Sequence, residues 1–209
     1  MKFLSDVIQF PNHNEASEDG LLAVGADLSL KRLIYAYSIG VFPWFENEEP
    51  ILWWSPDPRF VLFPNELKVS KSMKQFMRIS TFQITQNKAF SEVVDNCSKV
   101  MRPGQRGTWI TQNMKLAYNE LYEAGFAKSV EVWDQEQLVG GIYGVDLNNG
   151  VFCGESMFSL KSNASKFAFT SLIENGSYNL IDCQVHTNHL ESLGARFISR
   201  RDYLRYLLP

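Results

Sequence analysis

The sequence of 209 residues predicts an α+β protein in two parts, a small N-terminal α+β domain over residues 1–64 and a larger mixed-sheet domain over residues 65–209. Three observations support this reading. The first third is rich in prolines, aromatic residues and turn signals, which forbid long regular structure. The rest alternates helical and strand patterns. Near its end, a strand–helix–strand unit covers residues 150–185, and such a unit can place two parallel strands side by side.

The first part predicts one short helix. Asp27-Leu28-Ser29 precedes a periodic run from Leu30 to Ile39, and Gly40 is the expected stop. Prolines then interrupt the aromatic stretches that follow, and the small domain is expected to end near Pro64-Asn65.

The second part predicts a regular succession of elements, with Ser70 and Thr111 as helix N-caps and Gly125 as a C-cap. Helices are predicted over residues 70–78, 89–99, from Thr111 to Gly125, over 163–175, up to Leu193 and over 202–207. Strands are predicted over residues 81–85, 129–133, 137–145, 150–154, 180–185 and 195–199.

Composition places the chain among ordinary globular proteins. No apolar run approaches the roughly 20 residues that cross a bilayer, and the N-terminal residues lack the core of a signal peptide. The three cysteines share no CxxC spacing, so a reducing cytoplasm is the expected compartment.

Charge is unevenly distributed along the chain, although the net charge is only −3. Residues 1–65 carry a net charge of −5, residues 66–106 carry +5 and residues 107–209 carry −3. A positive middle segment in an acidic protein predicts a local footprint for a polyanion.

Two short segments place ionisable groups inside apolar runs. Glu155 lies in Phe152-Cys153-Gly154-Glu155-Ser156-Met157-Phe158, and Asp182 lies in Leu180-Ile181-Asp182-Cys183-Gln184-Val185. Burying an unpaired carboxylate costs several kcal/mol, which is on the order of the whole stability of a domain. We therefore expect both carboxylates to be functional and to meet at one edge of the sheet.

The order of elements resembles the acetyltransferase fold called GNAT, and the stretch from Asn188 to Phe197 is similar to the late helix and Gly-Phe turn of that fold. In that fold a glycine-rich loop binds the pyrophosphate of coenzyme A. The corresponding residues 159–166 contain no glycine, so backbone amides cannot wrap a pyrophosphate closely. Acetyl-coenzyme A is therefore not the expected substrate.

Long motifs along the chain resemble the bacterial leucyl/phenylalanyl-tRNA–protein transferases. They include Gly40-Val41-Phe42-Pro43-Trp44-Phe45, residues 51–59, residues 107–111, residues 138–145, Gly154-Glu155-Ser156-Met157-Phe158 and Ile181-Asp182-Cys183-Gln184. The resemblance implies transfer of Leu or Phe, and in some cases Met, from aminoacyl-tRNA to a protein that begins with Arg or Lys. The product is a degradation signal of the bacterial N-degron pathway. Several relatives continue beyond the position of Pro209.

The resemblance also implies a mechanism without ATP, metal or other cofactor, because the aminoacyl ester is already activated. We expect Gln184 to accept a hydrogen bond from the attacking amine, and Asp182 to orient Gln184. In an ideal strand these two residues lie on the same face. The alternative is that Asp182 is a structural carboxylate tied to backbone amides.

Glu155 is the candidate contact for the cationic N-terminal residue of the acceptor, with a structural salt bridge as the alternative. The resemblance suggests an apolar pocket for the donor side chain, formed by Ile142, Phe152, Met157 and Ile181. Without the resemblance, each of these four would be interpreted as a core residue.

Trp44 and Trp109 lie beside turn residues and are candidates for stacking on the terminal adenosine of the tRNA, or for packing at a domain junction. Six cations are candidates for contacts with tRNA phosphates, or a solvated face: Lys68, Lys71, Lys74, Arg78, Arg102 and Arg106. Cys183, His186 and His189 have metal-capable side chains, but no fourth ligand has a zinc-finger spacing, so no metal is expected.

Two other functions stay open at this stage. One is a GNAT-like acyltransferase with a small-molecule donor, which the missing glycine loop disfavours. The other is an adaptor that binds tRNA or peptide without catalysis, which the presence of Glu155, Asp182 and Gln184 disfavours. The resemblance implies a monomer.

Overall fold

Two β-sheets organise the protein, whose computed structural model describes residues 2–46, 50–100 and 108–208. The strands are β1 (Lys2–Leu4), β2 (Leu21–Gly25), β3 (Phe42–Pro43), β4 (Leu52–Trp54), β5 (Arg59–Leu62), β6 (Gln83–Gln86), β7 (Ala127–Asp134), β8 (Gln137–Asp146), β9 (Val151–Ser159), β10 (Leu180–Gln184) and β11 (Arg196–Ile198). The helices are α1 (Leu30–Ser38), α2 (Lys71–Ile79), α3 (Phe90–Lys99), α4 (Gln112–Glu123), α5 (Ala164–Asn175), α6 (Asn188–Ser192) and α7 (Arg200–Arg205).

The small sheet has four strands in the order β1-β2-β4-β3, and the large sheet has seven in the order β11-β5-β10-β9-β8-β7-β6. Most neighbours in the large sheet are antiparallel, but β9 and β10 are parallel, with α5 as the connection between them. The predicted α+β class with a mixed sheet is confirmed, and so is the parallel pair that the strand–helix–strand unit predicted.

Helix boundaries follow from caps that the sequence contains. Ser70 Oγ accepts a hydrogen bond from the backbone N–H of Met73 (3.1 Å), which confirms it as the N-cap of α2. Thr111 caps α4 in the same way. The predicted last helix is present, but its bounds are Arg200–Arg205 instead of 202–207, because Ser199 accepts from the N–H of Asp202 and starts α7 at Arg200.

Strand β5 lies inside the large sheet, between β10 and β11, and is antiparallel to both. These residues lie within the predicted small N-terminal domain, which is expected to end near Pro64-Asn65. The division after residue 64 stays a prediction, and the hydrogen bonds of β5 favour a boundary ahead of Arg59.

Two apolar cores lie on opposite faces of the large sheet, as the alternation along β5 illustrates. Val61 packs into the core that also contains α1, α3, α4 and the small sheet. Phe60 and Leu62 pack into the other core, which α5 covers. Among the described residues, no helix combines the length and the apolar character needed to cross a membrane.

Candidate active site

The candidate site begins where the parallel pair of strands ends. β9 and β10 pair over three positions, and Asp182 opposite Cys153 is the last of them. Just beyond, each strand has an extra residue relative to its antiparallel neighbour, Glu155 in β9 and Cys183 in β10. Such bulges end regular pairing and redirect side chains. A cavity of about 550 Å³ lies here, and residues of both strands line it.

Apolar groups form most of the cavity wall, and three of the predicted pocket residues are among them. Ile142 on β8 pairs with Met157 on β9, and Ile181 on β10 lines the cavity with them. Both of the predicted indoles, Trp44 and Trp109, also line it. A concave apolar surface with a few polar groups is typical of a small-molecule site.

Phe152 is the exception among the predicted pocket residues, because it does not line the cavity. Its side chain is fully buried, and its ring lies 5.4 Å from the ring of Tyr178. It also fills the space over Gly144, where an added Cβ would lie 2.5 Å from Phe152 Cζ. Phe152 is therefore a core residue, which was the alternative for each of these positions.

Asp182 is fully buried at the edge of the cavity and accepts hydrogen bonds on both oxygens. Arg59 donates from Nε to Oδ1 (2.8 Å) and from a terminal nitrogen to Oδ2 (2.7 Å), in the bidentate geometry that arginine and carboxylate prefer. Tyr203 donates to Oδ2 at 2.8 Å. The negative charge is thus paired inside the protein, as a buried carboxylate requires.

Gln184 meets Asp182 through its backbone. Its N–H donates to Asp182 Oδ1 at 2.9 Å, and its φ of 61° lies in the left-handed region, which is uncommon for residues other than glycine. The two residues come together through the bulge at Cys183 and not through the simple alternation that an ideal strand would give. The side chain of Gln184 borders the cavity.

Glu155 is buried and is held by three side chains. Tyr37 and Gln184 donate to Oε1, each at 2.8 Å, and Tyr118 Oη lies 2.6 Å from Oε2, within hydrogen-bond distance. Burial raises the pKa of Glu155 to about 7, with the charge of Asp182 acting in the same direction, although the hydrogen bonds from Tyr118, Tyr37 and Gln184 oppose the shift. The predicted contact with a cationic acceptor residue stays a prediction, and it must share these oxygens with three hydrogen-bond partners.

Four side chains that the sequence analysis missed complete this network: Tyr37, Arg59, Tyr118 and Tyr203. All four are at most 1% exposed. Arg59 offered one signal, since a cation directly before the apolar run Phe60-Val61-Leu62 needs a buried anion. The tyrosines offered none, because a tyrosine on a helix face is ordinarily a core residue.

The two candidate indoles differ in exposure. Trp109 is 8% exposed, and Trp44 is 37% exposed and lies against Trp54, with ring centroids 5.7 Å apart. Trp53 is fully buried and donates its indole N–H to the carbonyl of Gly25, as expected of a structural residue. Trp44 is thus the indole with more free surface beside the cavity.

The predicted cationic face is present on α2. Lys71, Lys74 and Arg78 are all exposed, whereas Met73 on the same helix is buried against the core. Lys68 is exposed just before the helix. Arg102 and Arg106 lie outside the residues that the structure describes. None of the four described cations lines the cavity, so this face is separate from it.

The metal-capable residues Cys183, His186 and His189 are engaged differently. Cys183 Sγ contacts the carbonyl of Ile181 at 3.8 Å, and His186 pairs with Glu191 at 3.0 Å. His189 lines the cavity, and its buried Nε2 has no hydrogen-bond partner within residues 2–46, 50–100 and 108–208. Over the parts of the chain that the structure describes, no three His, Cys, Asp or Glu side chains are grouped to hold a metal ion.

Fold and site together define an α+β protein with an apolar cavity beside a buried network of carboxyl, amide and hydroxyl groups. A family model described as leucyl/phenylalanyl-tRNA protein transferase matches residues 61–208, and a model for the N-terminal domain of the same family matches residues 26–57.

Curated relatives match over the full length. The leucyl/phenylalanyl-tRNA–protein transferase of Flavobacterium psychrophilum is 54% identical and that of Flavobacterium johnsoniae is 53% identical, each over 99% of both chains. The chain belongs to the leucyl/phenylalanyl-tRNA–protein transferase family, whose members are aminoacyltransferases.

Solved structures show more distant likeness. A conserved protein of unknown function from Bacteroides thetaiotaomicron is 14% identical with a TM-score of 0.44, over 73% of this chain and 56% of that one. A GCN5-related N-acetyltransferase from Kribbella flavida is 11% identical with a TM-score of 0.38, over 77% of this chain and 57% of that one.

Proposed function

We propose that the protein transfers Leu or Phe, with Met as a third candidate, from aminoacyl-tRNA to the α-amino group of proteins that begin with Arg or Lys. The product marks the acceptor for degradation. The observation that carries the proposal is the cavity at the end of the β9–β10 pair, where an apolar wall meets Gln184 and Glu155. Membership of the family and full-length relatives that bear this name support it.

The main task of the protein in this reaction is to position the amine against the ester carbonyl. An α-amino group with a pKa of about 7.7–8 is roughly one-tenth neutral at pH 7, so a strong base is unnecessary. Holding the amine against the ester carbonyl can contribute roughly 7–11 kcal/mol to the lowering of the barrier. The reaction forms the amide C–N bond and breaks the ester C–O bond, and the proton lost by nitrogen balances the one gained by the tRNA 3′ oxygen.

In this proposal Gln184 accepts a hydrogen bond from the attacking amine through its side-chain oxygen. Asp182 acts through Gln184, because it holds the backbone of Gln184 in the left-handed conformation. Its own negative charge is paired with Arg59. Asp182 is therefore a positioning residue, and its four donors support this role over that of a proton acceptor.

The donor side chain would occupy the apolar wall made by Ile142, Met157 and Ile181. The terminal adenine would stack on Trp44 or Trp109, which is worth roughly 1–3 kcal/mol per base. The exposed cations of α2 would contact acceptor-stem phosphates without reading sequence.

Partners and location follow from the same proposal. The protein would act as a monomer in the cytoplasm, where charged tRNA is available, and its three buried free cysteines suit a reducing compartment.

Incubation with radiolabelled Leu-tRNA or Phe-tRNA and a protein that begins with Arg tests the function. Label should move to the acceptor, and should not move to the same acceptor beginning with Ala. Binding of tRNA without transfer would favour an adaptor, and activity only with a small-molecule acyl donor would favour a different acyltransferase.

A further inference from the structure

Three buried oxygen-bearing groups beside the cavity form a closed triangle. The hydroxyl oxygens of Tyr37 and Tyr118 lie 2.9 Å apart. Tyr37 Oη lies 2.8 Å from Glu155 Oε1, and Tyr118 Oη lies 2.6 Å from Glu155 Oε2. All three contacts have the length of a hydrogen bond between oxygens.

The number of protons available to the three contacts determines whether Glu155 is ionised or neutral. Each contact needs one proton, the two tyrosines bring two, and an ionised carboxylate brings none. With Glu155 ionised, one contact would set two oxygen lone pairs against each other in a buried site. A neutral carboxyl group supplies the third proton and closes the ring. Burial raises the pKa of both tyrosines well above their ordinary value, so each keeps its proton.

Gln184 determines on which oxygen Glu155 carries its proton. Its side-chain N–H donates to Oε1, which also accepts from Tyr37. Oε1 is therefore the accepting oxygen, and the proton lies on Oε2, directed at Tyr118. The distance of 2.6 Å at Oε2 lies within the range of hydrogen bonds between oxygens, with either oxygen as the donor.

We propose that Tyr37 and Tyr118 are positioning residues that hold Glu155 as a neutral acid with its proton on Oε2, and thereby fix the amide of Gln184. With Nε2 held by Glu155, the oxygen of the planar amide faces away from Glu155 and is free to accept from the incoming amine. This inference rests on the proposed function and goes beyond it. It also means that a group other than Glu155 binds the cationic side chain of the acceptor's first residue.

Removing one hydroxyl tests the ring. In Tyr118→Phe the proton on Oε2 loses its acceptor and can move to Oε1. A proton on Oε1 would favour the side-chain oxygen of Gln184 over its N–H as partner, so the Gln184 amide could turn around. We expect Tyr118→Phe and Tyr37→Phe each to lower kcat about tenfold, with KM for Phe-tRNA and for an Arg-starting peptide changed less than about twofold. Tyr122→Phe is the matched control, since Tyr122 lies on the same helix and donates to the carbonyl of Asn87. It should leave kcat unchanged.

Two changes at Glu155 test its charge. Glu155→Ala should lower kcat about 30-fold or more, and Glu155→Gln should recover most of it, because an amide N–H can replace the proton on Oε2. The infrared difference spectrum of wild type minus Glu155→Gln, recorded at pH 6, should contain the band of a protonated carboxyl group.

The outcomes separate this inference from the proposed function. A wild-type protein that transfers no amino acid would overturn the function, and this inference with it. Transfer by the wild type with unchanged kcat in both tyrosine variants would overturn this inference alone. So would a Glu155→Gln variant as impaired as Glu155→Ala, or the absence of the protonated carboxyl band.

Discussion

Glu155 and Asp182 are two buried carboxyl groups that share Gln184 as a neighbour but differ in their surroundings. Asp182 faces the guanidinium of Arg59, so its negative charge is paired. Glu155 faces neutral hydroxyl and amide groups, and burial therefore raises its pKa to about 7. The contrast comes from one residue, because Arg59 contacts Asp182, whereas no cation among the described residues contacts Glu155.

The raised pKa of Glu155 predicts how stability depends on pH. Between its ordinary value of 4.5 and about 7, the folded protein keeps the proton that the unfolded chain has lost. The free energy of unfolding therefore falls as pH rises through this window, by an amount on the order of 3 kcal/mol at 1.36 kcal/mol per pKa unit. Urea unfolding of wild type and Glu155→Gln at pH 5, 6 and 7 measures this. Parallel pH dependence of the two proteins would contradict the prediction.

At the scale of elements, the site depends on irregular strands. The bulges at Glu155 and Cys183 lie on adjacent strands, just past their last shared pair. In a regular strand, successive side chains would point alternately into the two cores on opposite faces of the sheet. The bulges instead direct Glu155, Met157 and Gln184 towards one cavity.

The wall made by β8 and β9 predicts a change in donor selectivity. Ile142→Ala and Met157→Ala enlarge the cavity, so kcat/KM for Phe-tRNA should rise relative to that for Leu-tRNA by about tenfold, the usual scale for a methylene or two in an apolar pocket. Phe152→Leu is the control, because Phe152 is buried outside the cavity wall. It should lower stability and leave the ratio unchanged. A constant ratio in all three variants would place the donor side chain elsewhere.

Helix α2 predicts a salt effect. Changing Lys71, Lys74 and Arg78 together to Gln should weaken tRNA binding and reduce the slope of log K against log salt by about 0.7–0.9 for each lost phosphate contact. The same change at Lys31, Lys161 and Arg201, three exposed cations outside the positive segment 66–106, controls for net charge. Filter binding over a range of salt measures both. Equal slopes in the two triple variants would assign the α2 cations to a solvated face.

At the scale of the whole molecule, the network joins distant parts of the chain. Tyr37 and Arg59 come from the first third, Tyr118 from the middle, and Tyr203 from the last helix. Gly40, at the end of α1, lets α7 approach closely. Its φ is 76°, and an added Cβ would lie 2.8 Å from Leu204 and 2.9 Å from Tyr203.

Gly40→Ala should therefore displace α7 and weaken the bond from Tyr203 to Asp182. We expect a loss of about 2–4 kcal/mol in the free energy of unfolding, combining backbone strain with overpacking. Gly125→Ala is a matched control, since Gly125 has a φ of 82° but nothing within 4 Å of the added Cβ. It should cost only about 1 kcal/mol. If urea unfolding gave equal losses for Gly40→Ala and Gly125→Ala, the close contact of Gly40 with α7 would contribute nothing to the free energy of unfolding.

Local patterns were enough to predict much of this protein. Ser70 and Thr111 predicted the starts of their helices, because a cap acts within three residues of itself. The strand–helix–strand unit predicted the parallel pair and the approach of Glu155 and Asp182, since connection length restricts topology. Long motifs predicted the family, and with it Ile142, Met157 and Ile181, which line the cavity. Trp44 and Trp109 also line it, and they were candidates because they lie beside turn residues.

Only the tertiary structure decided what surrounds the two carboxyl groups. Arg59 lies 123 residues from Asp182 in the chain, and Tyr37 lies 118 residues from Glu155, so no local pattern relates them. The bulges that bring Gln184 and Glu155 together depend on which strands pair. Phe152 does not line the cavity because its ring packs over Gly144. Sequence determines which groups need partners, because burial is costly for each of them. Which partner each group obtains depends on packing between elements that are distant in the chain.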